Sequence, residues 1–370
     1  MGLDHLPKEC VIRRQVRLRF FIFSLPVKTV LGCLLVSAAL FGVTASSSYA
    51  NERVGTFAIE DLRVRATLVS EEEDGGDFSL DDSAFALSWR KNKNLSAYFA
   101  LGPELSRKLP IYYAEIPKDQ FGIVEGYAQY EGVYGRVRMG LIPLEFGYDG
   151  VLEPHERVFL WALPYSRGLI GNRDYGANFY TEHLGYYTQL TVHNGEIDTP
   201  SDGRMWTSGN WGYTNGRSFR MQFSMQTGSV KGEVSAGGNN QFGGVVNGET
   251  ALWRNALLFA HWYKRGWNVV LQSGGGEVKQ EDLNGRYNMN MAELTRYFSK
   301  NFGVGVRYDQ IDPNRKVDGD MQTETSLALV VKSDDSTSNL ILSFTKSIEE
   351  SNEMPDDQVR LAWLLTPYSR

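Results

Sequence analysis

From residue 60 onward the chain is built of short segments with period-two alternation, and the connections between them alternate between tight and long. Sixteen segments satisfy the alternation: 60–69, 82–90, 94–102, 121–130, 133–142, 174–182, 185–194, 217–226, 230–236, 251–263, 267–275, 289–298, 302–311, 324–332, 338–347 and 358–366. The tight connections are Lys91–Lys93, Glu131-Gly132, His183-Leu184, Thr227–Ser229, Lys264–Gly266, Ser299–Asn301 and Ser333–Thr337. The long ones are 70–81, 103–120, 143–173, 195–216, 237–250, 276–288, 312–323 and 348–357. Seven tight turns and eight loops, with both chain ends on the tight-turn side, predict strands that run up and down around a closed wall. A sandwich or propeller would not be expected to keep that order, and an even number of antiparallel strands closes without an open edge.

The strand faces say which way the wall is turned. Val359, Leu361, Trp363 and Leu365 share one face; so do Phe302, Val304, Val306 and Tyr308, and Phe219, Met221, Phe223 and Met225. Small and polar residues alternate with them. Sixteen strands enclose a bore too wide for side chains to fill, so the apolar face is expected outward, toward lipid, and the polar face inward, toward water. Most segments are near the 9–11 residues a tilted strand needs to cross a bilayer. Tyr and Trp near strand ends (Trp89, Tyr98, Tyr186, Tyr187, Trp262, Trp267, Tyr297, Trp363) suit interfacial girdles. The predicted fold class is all-β: a sixteen-stranded antiparallel transmembrane β-barrel with short periplasmic turns and long outer loops.

Residues 1–50 read as a cleaved signal peptide. A basic leader (Arg13, Arg14, Arg17, Arg19, Lys28) precedes the apolar run Val30–Val43, and Ser48-Tyr49-Ala50 offers small residues at the cleavage site. A transmembrane anchor and a lipoprotein box at Cys33 are the alternatives; the apolar run falls short of a bilayer span. Both cysteines, Cys10 and Cys33, lie in the leader, so 51–370 has neither disulfides nor thiolate metal sites. The leader also holds six Lys/Arg and two Asp/Glu of the chain's 38 and 44, which leaves a net charge of −10 downstream. That balance argues against nucleic-acid binding, which needs a basic face.

Three short motifs cluster around the longest loop. They are Arg136–Gly147 (RVRMGLIPLEFG), Gly171–Gly176 (GNRDYG) and Thr191–Gly195 (TVHNG). In order and spacing they resemble the phosphate-selective porin O and P family. The resemblance implies an outer-membrane porin, usually a homotrimer, with its third loop folded into the pore and small anions such as phosphate as solutes. Two departures stand out: the family's Pro-Phe-Gly element is Pro143-Leu144-Glu145-Phe146-Gly147 here, and the chain ends Pro367-Tyr368-Ser369-Arg370 in place of a terminal aromatic.

In a channel of this kind specificity is electrostatics at a constriction. The candidate constriction loop, 143–173, carries Glu145, Asp149, Glu153, His155, Glu156, Arg157, Arg167, Arg173 and, at its end, Asp174. These residues either line the eyelet or brace the loop, and Arg173-Asp174 could fasten it to its strand. On the wall, alternation sends Arg63, Arg65, Arg136, Arg138, Arg220, Arg307 and Arg360 inward, and barrel closure sets the strand of Arg63 and Arg65 beside that of Arg360. Guanidinium stays charged and forks onto phosphate or carboxylate, so these seven are the pore-lining candidates for anion passage. Pairing with loop acids is the competing role. The acidic run Glu71, Glu72, Glu73, Asp74, Asp77, Asp81 and Asp82 reads as solvated surface, with divalent cations bridging to lipopolysaccharide as the other reading. The expected partners are therefore the lipid bilayer, lipopolysaccharide and small hydrophilic solutes or anions.

No Ser-centred elbow, zinc motif or paired-carboxylate motif is present, and His155, His183, His193 and His261 are scattered. The chain is expected to be a passive channel with no catalytic residue, metal or cofactor. A barrel enzyme, or a non-conducting structural or adhesive barrel, is the alternative.

Overall fold

The computed structural model describes residues 55–71, 75–80, 83–103, 121–152, 157–159, 162–166, 171–195, 204–231, 250–280, 283–316, 319–335, 337–349 and 357–369. The predicted signal peptide, and Glu153, His155, Glu156 and Arg167 of the candidate loop, lie outside the described residues.

The strands are β1 (Thr56–Glu71), β2 (Gly75–Ser79), β3 (Ala84–Arg90), β4 (Leu95–Pro103), β5 (Phe121–Gly132) and β6 (Gly135–Pro143). Next come two short helices, α1 (Gly147–Val151) and α2 (Leu163–Ser166), inside the longest connection. The wall resumes with β7 (Arg173–His183), β8 (Tyr186–His193), β9 (Trp206–Thr214), β10 (Phe219–Lys231) and β11 (Thr250–Lys264). It finishes with β12 (Trp267–Gln280), β13 (Leu283–Tyr297), β14 (Phe302–Asp312), β15 (Gln322–Lys332), β16 (Ser338–Glu349) and β17 (Gln358–Ser369). β2 and β3 both pair with β1, over Thr67–Glu71 and Thr56–Arg63, and so share one place in the wall. From there each strand pairs antiparallel with the next, and β1 pairs with β17 from Asp61↔Ser369 to Glu71↔Gln358. The result is a closed barrel of sixteen antiparallel strand positions.

Closure satisfies every strand edge, and alternation then fixes the two faces. The exterior exposes Met139, Phe179, Leu190, Trp211, Met225, Leu258, Leu271, Leu327, Leu342 and Leu361. In water such a surface would be a large unfavourable patch; in lipid it is the solvated face. Among the described residues no helix is long and apolar enough to cross a membrane.

The tight turns follow their chemistry. Leu184-Gly185 and Arg265-Gly266 are two-residue hairpins with positive φ at both positions, the backbone that matches strand twist. Asn215 closes the β9–β10 turn: its Oδ1 accepts from the N–H groups of Arg217, Ser218 and Phe219.

Several expected boundaries are corrected. The stretch 195–216 is not one loop, because Trp206–Thr214 is a strand; after Trp206 its inward face runs Ser208, Asn210 and Gly212, and Gly209 interrupts the outer face, so no apolar alternation marks it. Thr227–Ser229 is not a turn but the interior of β10, and no separate strand occupies 230–236. Gly228 sits mid-strand because the Trp206 ring lies against it, where a side chain would stand. One strand missed and one added left the total at sixteen but reversed the direction of 217–226. Arg220 therefore lies at the tight-turn end. The β5–β6 turn is Val133-Tyr134, not Glu131-Gly132. Two of the long connections also shorten: β1–β2 pairing reaches Glu71↔Gly75, and β12–β13 pairing reaches Gln280↔Leu283.

Candidate pore constriction

The 143–173 connection folds into the bore. Leu144 follows β6 into a backbone hydrogen bond with Asn172, so the loop leaves and rejoins the wall at a pinched root. Glu145 then adopts a left-handed backbone with φ of 49°, uncommon for a residue with a side chain. The wall holds it there: Gln222 Nε2 and Asn210 Nδ2 both donate to the Glu145 carbonyl, at 2.8 and 3.3 Å. The Tyr148 N–H donates to Gln272 Oε1 at 2.8 Å. Gly147, with φ of 73°, is the residue that permits the tight reversal between these anchors.

Beyond the root, the loop covers one half of the inner wall with apolar contacts. Phe146, Tyr148, Leu163 and Tyr165 pack on Trp253, Leu257, Phe259, Val270, Tyr287 and Met289 of β11–β13. Further on, Val158 and Phe159 pack on Ala328, Val330, Ile341 and Ala362 of β15–β17. The expectation of a uniformly polar inner face is thus corrected: the interior is apolar where the loop lies on it, because a loop docked without such contacts could not offset the entropy of being ordered.

The charged residues of the loop divide into two roles. Asp149 is buried and accepts from the Ala162 N–H at 2.6 Å, while buried Arg157 donates to the Asp149 carbonyl at 3.0 Å. Both tie the loop to itself. The Tyr165 hydroxyl donates to the Phe146 carbonyl, and its burial, followed by the nearby Asp149 charge, pushes its pKa well above the ordinary phenol. Arg173 pairs with Glu125 of β5 at 3.0 Å. Glu145 is the described loop acid that keeps partial exposure and faces a wall arginine, 3.7 Å from Arg138.

The wall arginines also separate. Arg63 pairs with Asp61, and Arg65 lies buried one inward position above it on β1, beside β17 as the closure predicts. Arg307 is held by Asp309 at 2.7 Å and lies over the Phe159 ring; Arg360 donates to Ser343 Oγ and to the Val158 carbonyl. These last two grip the loop tip. Arg136, Arg138 and Arg220 stay partly exposed, at the tight-turn side of the loop root. Each lies over a tyrosine: Arg136 over Tyr180, Arg138 over Tyr127 and Arg220 over Tyr187, at 4.8, 4.7 and 5.1 Å from the ring centroids. Tyr180 and Tyr187 stack on each other, so the rings link the strands of Arg136 and Arg220 across β7 and β8. Arg220 also receives fixed acceptors in Tyr187 Oη and Gln222 Oε1. Among the described residues Arg136 has neither a hydrogen-bond acceptor nor an ion-pair partner. Of these three tyrosines only Tyr187 is among the expected girdle aromatics, and that expectation is corrected: its ring faces inward under a guanidinium group.

A second buried cluster sits at the loop root. His193 Nδ1 lies 2.7 Å from Asp174 and its Nε2 lies 2.9 Å from Ser208 Oγ, while Asp174 also accepts from the Gly195 and Tyr175 N–H groups. The order Asp–His–Ser is that of a hydrolase triad. All three are buried, at 0, 0 and 1 % exposure, beneath the Trp206 ring. The described contacts make the cluster a fastening for the end of the loop and the β8–β9 connection. Among the described residues no three His, Cys, Asp or Glu side chains are placed to hold a metal ion.

The closed sixteen-strand barrel fold recurs in solved structures of outer-membrane proteins. OmpT, an outer membrane protein of Vibrio cholerae in its trimer form, superposes with a TM-score of 0.62 at 10 % identity, covering 85 % of this chain and 99 % of that one. The anion-selective porin of Comamonas acidovorans gives 0.57 at 15 % identity, with 84 % and 98 % covered. The outer membrane channel DcaP of Acinetobacter baumannii gives 0.58 at 9 % identity, with 86 % and 99 % covered. No family model and no curated protein sequence matches the chain.

Proposed function

We propose that this chain is an outer-membrane porin through which small hydrophilic solutes diffuse passively, with small anions such as phosphate favoured, and that it works as a homotrimer without a covalent step or cofactor. The observation that carries the reading is the trio Arg136, Arg138 and Arg220, partly exposed to the bore at the loop root and faced there by Glu145. Stacking on tyrosine holds each guanidinium in place without neutralising it, which leaves positive charge available to a passing anion. The apolar exterior supports insertion in lipid, and the folded-in loop supports a narrowed path. The likeness of Arg136–Gly147 to the phosphate-selective porin O and P family supports the anion preference, as does the anion-selective porin among the similar structures.

Planar-bilayer recording of the purified, folded protein tests this. Stepwise ion current is expected, with a reversal potential in a salt gradient that favours the anion. Absence of current would overturn the channel, and a cation preference would overturn the role of the arginines.

One observation favours a different reading, a barrel hydrolase built on Asp174, His193 and Ser208. The burial of Ser208 opposes it, since a nucleophile has to reach its substrate. Labelling of the folded protein by a fluorophosphonate, abolished in Ser208→Ala, would support the hydrolase; no labelling is expected.

A further inference from the structure

The exterior of the barrel is apolar over most of its area; single charged side chains such as Lys346 interrupt it, and one part carries a cluster of charge. On β11–β13 the outward residues Arg254, Lys279 and Arg286 converge on one carboxylate, Glu277, at 3.2, 3.2 and 3.8 Å. Three cations share one anion, and among the described residues no other acid pairs with any of them. Two positive charges are left on a surface otherwise built for hydrocarbon.

These groups stand at the head of a groove of about 780 Å3 in the outer wall. Strand register lays the groove out in rows. One row reads Leu190, Gly209, Met225, Ala256 and Gly275 across β8–β12. The next outward-facing row toward the long-loop end reads Thr207, Thr227, Arg254, Glu277 and Arg286 across β9–β13. Ala256 and Gly275 give the groove its depth, the Trp211 ring lies over Gly209 beside them, and Arg254 and Arg286 line its upper end.

The height of the charged row is informative. Ten residues of β11 separate Arg254↔Glu277 from the Lys264↔Trp267 pair at the tight turn. At ~3.3 Å per residue and a tilt of ~40°, this places the row about 25 Å above the turn, the height of the apolar band of such barrels. Trp262 and Trp267 mark the lower interface, so Arg254, Lys279 and Arg286 lie at headgroup level of the opposite leaflet.

We infer that this groove binds a phosphorylated, acyl-chain lipid, its chain along Trp211, Ala256 and Gly275 and its phosphate on Arg254, Arg286 and Lys279. The occupant is set by charge complementarity: a neutral lipid or a second apolar barrel wall would bury two uncompensated cations. Guanidinium groups fork onto phosphate oxygens, and Glu277 holds both forks in place in the absence of ligand. The inference rests on the membrane-spanning reading above for the level of the charges, and its test does not depend on conductance.

Native mass spectrometry of the folded protein in detergent, with dioleoyl phosphatidic acid against dioleoylglycerol, provides the test. Phosphatidic acid is expected to be retained and the diacylglycerol not. Arg254→Gln with Arg286→Gln should weaken retention by about thirtyfold, from two basic groups lost near the phosphate. Ala256→Leu fills the groove and should weaken phosphatidic acid while leaving any adduct with inorganic phosphate unchanged. Equal retention of both lipids, retention unaffected by the arginine pair, or inorganic phosphate bound as tightly as the lipid would overturn the inference. So would cysteine cross-linking through position 256 that joins two copies and excludes lipid. A barrel that conducts but retains no phosphatidic acid refutes the lipid site alone; one that retains it without conducting refutes the channel alone.

Discussion

Replacing Arg136 by Gln tests the constriction most directly, because Arg136 is the trio's member with neither a hydrogen bond nor an ion pair to lose among the described residues. Its stacking on Tyr180 contributes about 0.5–1 kcal/mol, too little to unfold a closed barrel. What changes is the field at the loop root. A unit charge about 5 Å from a passing ion in water is worth about 0.8 kcal/mol, reduced to about 0.5 kcal/mol by screening at 0.1 M salt. Removing it raises the energy of an anion and lowers that of a cation by that amount, so the anion-to-cation permeability ratio should fall about fivefold. Glu145→Gln should raise the ratio by a similar factor, since it removes the opposing charge 3.7 Å from Arg138. The double variant should return near the starting value. Reversal potentials in a tenfold KCl gradient across a planar bilayer read all three. If the two single variants shift the potential in the same direction, or neither shifts it, the trio does not set selectivity and the reasoning fails.

Three further outcomes follow from the loop's anchoring. Asp174→Asn removes the carboxylate that holds His193 and the Gly195 N–H, and should cost about 2–4 kcal/mol, read as a lower urea midpoint for the folded barrel in detergent; an unchanged midpoint would deny the fastening role. Phe159→Ala empties the contact between the loop tip and β15–β17, and should destabilise docking by about 3–4 kcal/mol and raise single-channel conductance and noise; a quiet channel of unaltered conductance would place the tip elsewhere. The third is a pH effect. Burial raises the Tyr165 hydroxyl pKa in the folded protein, so its contribution is fully present below the unfolded value of about 10 and is lost as pH rises toward the folded value. Alkaline titration should therefore release the loop, and Tyr165→Phe should remove that component of the transition while leaving any other.

The barrel was legible because its information is local. A strand with one face in lipid and one facing inward has to alternate, and a hairpin turn needs a residue such as Gly185 or Gly266 that accepts positive φ; the β7–β8 turn falls at Leu184-Gly185, one residue beyond the expected His183-Leu184. Where the inward face is small and polar and the outward face holds a glycine, as in Trp206–Thr214, the period fades and the strand reads as loop. The same loss hid the true role of Gly228, whose meaning depends on Trp206 from the neighbouring strand.

The sequence by itself determined an up-and-down barrel wall with an apolar exterior and singled out 143–173 as the candidate constriction loop; its strand total of sixteen held only because a missed strand and an added one cancelled. It named seven wall arginines as facing inward but could not rank them. Only the tertiary structure decided that Arg307 and Arg360 hold the loop tip while Arg136, Arg138 and Arg220 remain partly exposed on tyrosine rings. It also decided that Asp149 and Arg157 point into the loop, and that Asp174, His193 and Ser208 meet at its root. The physical reason is that alternation fixes only the face on which a side chain lies. Its partner comes from strands and loops far away in the chain, and the partner settles whether a charge is held or free to act.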